Sequence, residues 1–344
     1  MAPSGKSLKK ISSLGVQCVP IRLNRTSGLI PKDLSSIIRL CRIYREVRPD
    51  IVHHFTLKCI LYGMIAAFFA RVPRKINAFT GMGAAFTGTS LGIVLLKGAI
   101  KALIKLLFCA PNVDVVVQNP SDREEVLAYK FIHPQRLHLI PGSGVDTTKF
   151  IPIDGQKFPQ KRVLMVSRLL VDKGVREYVA TARVVTERRM DVEFLLAGDI
   201  DEGNPTSVPL DEVTQWQKID RFFVLGHQEG MVALLNSCDI VVLPSYREGL
   251  PLSLLEAASC ELPIVTTDVP GCRDVVIDGE NGLLVPKKNV DELITAIERL
   301  VDDQSLRQKM GKAGRRIVEE KFEHKVILEK TLALYCEEQN DCSG

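Results

Sequence analysis

Aromatic residues are scarce in this sequence: they form 6% of its 344 residues, and tryptophan occurs once. Few rings are therefore on hand for stacking nucleic-acid bases, no nucleic-acid-binding motif is present, and nucleic acid is not expected as a partner. The nine cysteines include no C-x-x-C pair and none at zinc-like spacing from histidine. That excludes a disulfide frame and a metal site as expectations and suits reduced thiols in a cytosolic setting. No run of eighteen uncharged apolar residues occurs, so no spanning helix is expected. The opening MAPSGKSLKK lacks the apolar centre of a signal peptide. There is no Walker sequence, and Gly81 and Gly83 lack the third glycine of a dinucleotide fingerprint. Internal repeats and low-complexity tracts are absent too. What remains is a globular chain, 46% hydrophobic and long enough for two cores.

Charge is unevenly spread. Residues 1–150 hold 21 Lys and Arg against 8 Asp and Glu, a net +13, and the rest hold 24 against 33, a net −9. A basic half beside an acidic half points to an anionic partner for the first. With nucleic acid set aside, an anionic membrane surface is expected. The segment FTGTSLGIVLLKGAIKALIKLLFCA, from Phe86 to Ala110, spaces Lys97, Lys101 and Lys105 four apart among leucines, isoleucines and a phenylalanine. On a helix over residues 91–108 these lysines form a basic stripe beside an apolar face, the layout of a helix lying in a membrane interface. A core helix with its stripe in water gives the same pattern; the basic first half decides for the membrane.

Strand and helix patterns alternate along the chain, which predicts parallel, doubly wound sheets. Strands are expected at 16–23, 51–54, 75–79, 114–118 and 137–140, with helices over 31–45, 60–70 and from Pro120 to about Tyr129. After a linker at 150–161, strands are expected at 163–166, 193–197, 222–225, 239–243 and 262–266. Helices are expected over 174–187, 231–236, 251–260 and 289–301, followed by a charged helical tail from Ser305. The most informative stretch is Val241 to Pro286. An apolar strand breaks at Pro244-Ser245, then Glu248-Gly249-Leu250-Pro251 leads into a helix carrying Glu256. Glycine there allows close backbone approach, proline suits a first helical turn, and a helix N-terminus favours anions.

Two glutamates eight apart mean little alone. Set in PSYREGLPLSLLEA, followed by a strand, Pro270-Gly271 and the D-G-x-N-G-L-L-V run at 278–285, they match the E-x7-E signature. The sequence resembles the retaining, nucleotide-sugar-dependent glycosyltransferases of family 4. That resemblance implies an α/β GT-B fold, two Rossmann-like doubly wound parallel-sheet domains with a cleft between them. The expected parts are an acceptor-side domain over 1–155, a nucleotide-sugar-binding domain over 156–323, and a final helix over 324–344 crossing back to the first. In the family a first strand, glycine-rich loop and helix precede a segment like Ala2-Pro3-Ser4-Gly5, so the resemblance also implies that this first unit is lacking and strand edges are exposed.

By the same resemblance, Ser167-Arg168-Leu169 and Lys173-Gly174 match the motif whose cations contact the donor's pyrophosphate. The leaving diphosphate gathers negative charge, and fixed cations that bind it more tightly in the transition state lower the barrier. Glu248 is implied near the sugar and the scissile bond, so Glu248, Arg168 and Lys173 are the implied catalytic set. Glu256 is implied to accept from the ribose hydroxyls, which asks for an ionised carboxylate. Gly249, Leu250 and Leu252 are implied to offer backbone amides, Pro251 having none, and Gly226 and His227 to border the base. Asp199-Ile200-Asp201 has the D-x-D pattern of another glycosyltransferase fold but is read here as a cleft loop without metal. Where many members carry a histidine after the strand that here ends Asn77-Ala78-Phe79 this chain has Thr80, and His53 could face the cleft instead. A glutamate pair also serves glycoside hydrolysis, but that chemistry uses no Arg/Lys pyrophosphate clamp.

The segments HHFTLK, TGMG, VVVQNPSD, PGSGVD and AGDIDEGNP resemble bacterial enzymes of capsule, O-antigen or glycan assembly. The expected reaction moves a hexose or N-acetylhexosamine from a UDP-sugar to a lipid-linked saccharide acceptor with retention. No cofactor is expected beyond the nucleotide-sugar co-substrate, and the expected location is cytoplasmic, peripheral on the inner face of the membrane. Two alternatives stay open: a non-hydrolysing UDP-sugar 2-epimerase and a non-catalytic, membrane-associated nucleotide-binding relic.

Overall fold

The structure, a computed structural model, describes residues 11–21, 33–81, 98, 102–153 and 158–337. Their contacts divide into two compact units: residues 11–21, 33–79, 98, 102–116 and 129–138, and residues 80–81, 117–128, 139–153 and 158–337.

The first unit is built on a sheet ordered β1 (Ile51–Phe55), β2 (Arg74–Phe79), β3 (Val113–Val117) and β4 (Leu137–Leu139), with β1 and β2 parallel. Helix α1, Leu34–Val47, ends where Arg48 turns left-handed. Helix α2, Leu57–Ala70, is apolar nearly all round and buries Ile60, Leu61, Tyr62 and Met64. Its Gly63 is required by packing: a Cβ there would stand 2.3 Å from the His54 ring. Val16–Leu23 does not form the expected strand in its described part. Residues 16–21 are irregular, with Val16 53% and Val19 44% exposed, since apolar alternation makes a strand only where a neighbour takes its backbone hydrogen bonds. Of the expected interfacial helix, Lys97 and Lys101 lie outside the described residues. Residues 102–108 are helical, with Ile104 and Phe108 buried and Lys105 and Leu106 exposed. Among the described residues, no helix is long and apolar enough to cross a membrane.

The second unit centres on six strands, β5 (Lys161–Val166), β6 (Val192–Ala197), β7 (Phe222–Gly226), β8 (Ile240–Leu243), β9 (Ile264–Thr267) and β10 (Gly282–Val285). Their order is β10-β9-β8-β5-β6-β7, and every neighbouring pair is parallel. From β5 the chain winds outward through β6 and β7, then returns to the other side of β5 with β8. Such a reversal opens a crevice at the carboxyl ends of the two central strands, the place where open α/β sheets bind ligands.

Helices α4 (Val175–Arg188), α5 (Leu210–Trp216), α6 (Met231–Asn236), α7 (Leu252–Ser259), α8 (Cys272–Val275) and α9 (Val290–Asp302) connect or follow these strands. The expected helix at 231–236 matches α6 to the residue, whereas β10, α5 and α8 are short and were not marked by periodicity. Near-complete burial of Val163, Met165, Phe194, Leu196 and Val242 explains why the strands read as unbroken apolar runs. Inside this core the Tyr178 hydroxyl donates to the carbonyls of Val163 (2.8 Å) and Leu195 (3.0 Å). Asn289 and Asp303 accept backbone N–H bonds from Glu292 and Leu306, fixing the starts of α9 and of α10, Gln304–Lys321. Helix α11, His324–Cys336, begins beside Val145, whose carbonyl accepts the His324 N–H at 3.0 Å.

Candidate functional site

Strand β5 leads into Ser167-Arg168, and the chain then turns through a short 3-10 segment, Val171–Lys173, into α4. Gly174 makes the turn possible. It has φ +72°, and a Cβ there would lie 2.0 Å from the Pro244 carbonyl oxygen at the end of β8. The approach is sealed by the Asp172 carbonyl, which accepts from the Ser245 hydroxyl (3.1 Å) and the Tyr246 N–H (2.9 Å). Two loops leaving neighbouring central strands are thus held edge to edge.

Lys173 and Glu248 meet there. The Lys173 ammonium donates to both carboxylate oxygens of Glu248, at 2.5 and 2.7 Å, with side chains only 21% and 9% exposed. Two residues expected in the site are therefore brought into direct contact. The backbone of Glu248 is fixed as well: its N–H donates to the Pro270 carbonyl at 3.1 Å, and a Cβ at Gly271 would collide with it. That N–H is consequently not available to a ligand.

Arg168 points to a different partner. Its guanidinium donates to Asp201 at 2.6 Å, the arginine side chain 56% exposed and the aspartate 9%. Asp201 also accepts from Asn204 at 3.3 Å. The second acid of the D-x-D pattern is therefore the counter-ion of Arg168. Asp199 uses its carbonyl to take the Leu169 N–H at 2.9 Å, and Gly226, at φ +63°, accepts from Gly198 at 2.9 Å. His227 is exposed on the loop that follows β7.

Glu256 lies on α7, half-buried. Burial pushes its carboxyl up to about 7, and the charge of Lys149 only partly offsets this. The expected role asked for an ionised acceptor, whereas in the protein alone burial favours the protonated form. Leu252, the first residue of α7, is 45% exposed, and Leu250 packs beside Gly142. Gly249 has no room for a side chain: a Cβ would meet Gln118 Oε1 at 2.6 Å and the Thr80 carbonyl at 2.8 Å.

The loop carrying Glu248 has further supports that the sequence did not announce. Asn119 Nδ2 donates to the Gly249 carbonyl at 2.8 Å and to Asp122 Oδ2 at 3.0 Å, while its Oδ1 caps α3, Pro120–Ala128, by accepting the Asp122 N–H at 2.8 Å. Arg247 Nη2 donates to Asp122 at 2.5 Å and to Glu125 at 2.6 Å. Asn119-Pro120-Ser121-Asp122 reads locally as a helix start, and the resemblance of VVVQNPSD assigns these residues no role. Nothing local says that its carboxylate faces an arginine 125 residues on. His53, weighed as a cleft histidine, stacks on Phe55 at 4.1 Å, and burial, then the neighbouring His54, lowers its pKa to about 4.

Residues 147–317 match the family described as Glycosyl transferases group 1, and residues 3–119 the one described as Glycosyl transferase 4-like. The chain is 25% identical over 352 residues to the capsular polysaccharide biosynthesis glycosyltransferase CapM of Staphylococcus aureus, covering 97% of this chain and 88% of that protein. It is 26% identical over 347 residues to the N,N'-diacetylbacillosaminyl-diphospho-undecaprenol alpha-1,3-N-acetylgalactosaminyltransferase of Campylobacter jejuni, covering 97% and 89%. It is 30% identical over 317 residues to the N-acetyl-alpha-D-glucosaminyl L-malate synthase of Bacillus anthracis, covering 89% and 79%. The solved structure of HepE from Anabaena with UDP and glucose has the same fold, at a TM-score of 0.79 and 16% identity over 96% of this chain and 89% of that one.

Proposed function

Because this chain belongs to the group 1 glycosyltransferases, we propose that it transfers a hexose or N-acetylhexosamine from a UDP-sugar to a lipid-linked sugar with retention of configuration. The setting is surface polysaccharide or glycan biosynthesis. The observation that carries this reading is the meeting of Lys173 and Glu248 at the carboxyl ends of β5 and β8. A cation held by a displaceable carboxylate at a sheet's switch point is suited to exchanging that partner for a diphosphate.

In the proposed reaction Lys173 and Arg168 take the diphosphate as it leaves, trading Glu248 and Asp201 for phosphate oxygens. Arg168 offers a planar fork and Lys173 a point charge. Glu248, freed from Lys173, faces the sugar. Glu256 accepts from the ribose hydroxyls, and donating groups that favour its ionised form draw its pKa back down. The amides of Leu250 and Leu252, next to Gly249, bind phosphate or sugar oxygens, and Gly226 and His227 border the base. Retention follows from front-face attack in which the departing phosphate oxygen takes the acceptor's proton, so no dedicated base is needed.

Residues 156–323 form the donor-binding part of this scheme and residues 1–155 the acceptor side. A lipid-linked acceptor requires the enzyme at a membrane, and the basic first half with the 91–108 segment supplies attraction to an anionic surface on the cytoplasmic face. Relatives support the acceptor class: one is named for an undecaprenol-linked substrate and one for capsular polysaccharide. Another is named for L-malate, a soluble acceptor.

The test is a panel of radiolabelled UDP-sugars offered with undecaprenyl-diphosphate-linked sugars or with L-malate. Label is expected in the lipid fraction. Label in the malate product would replace the acceptor class, and a UDP-sugar interconverted without any acceptor would make the protein an epimerase. UDP binding with no turnover on any arm would leave only the relic.

A further inference from the structure

We infer that Asp122 and Asn119 are positioning residues for the loop that carries Glu248, acting through Arg247 and the Gly249 carbonyl; this rests on the transferase reading above. The loop between β8 and α7 has no regular structure of its own over residues 244–251. Its conformation must therefore come from what it touches.

Two contacts come from α3 and the residue before it. The first aims an amide. The Gly249 carbonyl is held by Asn119 Nδ2 at 2.8 Å, and a trans peptide unit is planar with its C=O and N–H opposed. Fixing that oxygen fixes the Leu250 N–H to point the other way, away from Asn119. Rotation of this one peptide would remove the amide from any ligand on that side.

The second contact anchors the residue before Glu248. Asp122 is fully buried and gives one oxygen to Arg247 and the other to Asn119. A buried carboxylate is stable only with its charge and lone pairs met, so Asp122 holds both partners in a fixed relation. Glu125, 25% exposed, shares the same guanidinium nitrogen. Arg247 Nε is buried with no hydrogen-bond partner among the described residues. Through Nη2 the guanidinium holds both carboxylates, and Asp122 is the deeper of the two anchors. Residues 247, 248 and 249 are each tied, to Asp122, to Lys173 and to Asn119.

The experiment compares Asp122→Asn, Arg247→Gln, their double variant and Arg247→Lys. UDP titration calorimetry counts binding-competent sites, turnover is expressed per site, and hydrogen exchange follows the 246–252 peptide. Asp122→Asn is expected to lower kcat per site about tenfold while KM and UDP affinity move less than about threefold, a loss confined to the transition state. The double variant should lose less than the product of the two single losses, because both substitutions remove the Asp122–Arg247 contact. Exchange in 246–252 should rise in Asp122→Asn, with the β8 peptide unchanged. Arg247→Lys keeps a cation beside Asp122 and should retain full UDP stoichiometry and an intermediate kcat, so the inference stays testable if Asp122→Asn does not fold. Wild-type turnover per site in both Asp122→Asn and Arg247→Lys, or losses that multiply in the double variant, overturns it. Should the wild-type chain itself turn over no sugar, the transferase reading fails, and hydrogen exchange alone decides whether Asp122 holds the loop.

Discussion

The charged and polar groups buried in the first unit differ from those at the strand ends of the second. In the first, buried polar groups close on one another: Asp114 is bound by Arg74 at 3.0 Å, Arg136 at 3.4 Å and His138 at 3.3 Å. His54 is likewise met on both ring nitrogens, by Asn77 at 2.9 Å and Tyr44 at 3.0 Å. In the second, opposite charges meet at the strand ends, Lys173 with Glu248 and Arg168 with Asp201, which also accepts from Asn204, and Glu256 is half-buried with its pKa raised. A saturated network spends its capacity on the fold. A pair that can change partners, or a carboxyl held away from its preferred charge state, keeps capacity for a ligand.

The largest expected effect breaks the saturated side. Asp114→Ala takes a buried carboxylate partner from Arg74, itself 5% exposed, and loss of one partner of a buried pair costs about 3–5 kcal/mol. Denaturant unfolding checks this. Burial alone raises the Asp114 carboxyl, but hydrogen bonds from His138 and Arg74 and the charges of Arg74 and Arg136 outweigh it and hold the pKa below the usual carboxylate range. A depressed carboxylate stabilises above its unfolded pKa and loses that contribution as pH falls, so the gap between wild type and Asp114→Ala should narrow in acid.

Next in size is Lys173→Ala. It removes the proposed charge-assisted partner of the diphosphate, a contact worth about 1.5–3 kcal/mol, and UDP should bind at least about tenfold more weakly. Unchanged affinity in both Lys173→Ala and Glu256→Ala would show that the donor site lies elsewhere.

Here the limit of the sequence is visible. Arg168, Lys173, Glu248 and Glu256 stand out because a motif carries them, and β5 and β8 were legible because buried parallel strands are apolar throughout. The motif did not say that Lys173 would lie on Glu248, since contacts between residues 75 apart depend on which strands become neighbours. Asp122 and Arg247 were hidden for the same reason, and Asn119 looked like a cap and is one, so its second bond to Gly249 left no local trace. The strand expected at 16–23 erred the other way: the alternation is real, but residues 16–21 have no strand neighbour among the described residues.

A smaller effect sharpens the comparison through pH. The folded pKa of Glu256 is raised to about 7, so the folded state holds the proton more tightly than the unfolded chain. The sign is the reverse of that for Asp114: this group costs nothing below the unfolded pKa and destabilises increasingly as pH rises towards the folded one. Glu256→Gln should therefore be relatively more stable than wild type at pH 8 than at pH 5. UDP affinity should show the opposite preference, improving in wild type as pH rises through about 7 because the ribose needs an ionised acceptor. Phosphate titration contributes to both proteins, so the difference between them is what isolates Glu256.

The smallest expected effect on the fold belongs to Arg168→Ala. With its side chain 56% exposed, the pair with Asp201 resembles a surface ion pair, worth about 0–1 kcal/mol, and unfolding should barely change. UDP affinity should nevertheless fall about three- to tenfold, since a phosphate loses its planar, doubly donating partner. A stability loss as large as that of Asp114→Ala would place Arg168 with the saturated networks of the first unit. A loss of affinity with stability intact would place it with Lys173, among charges whose protein partners hold the place of a ligand.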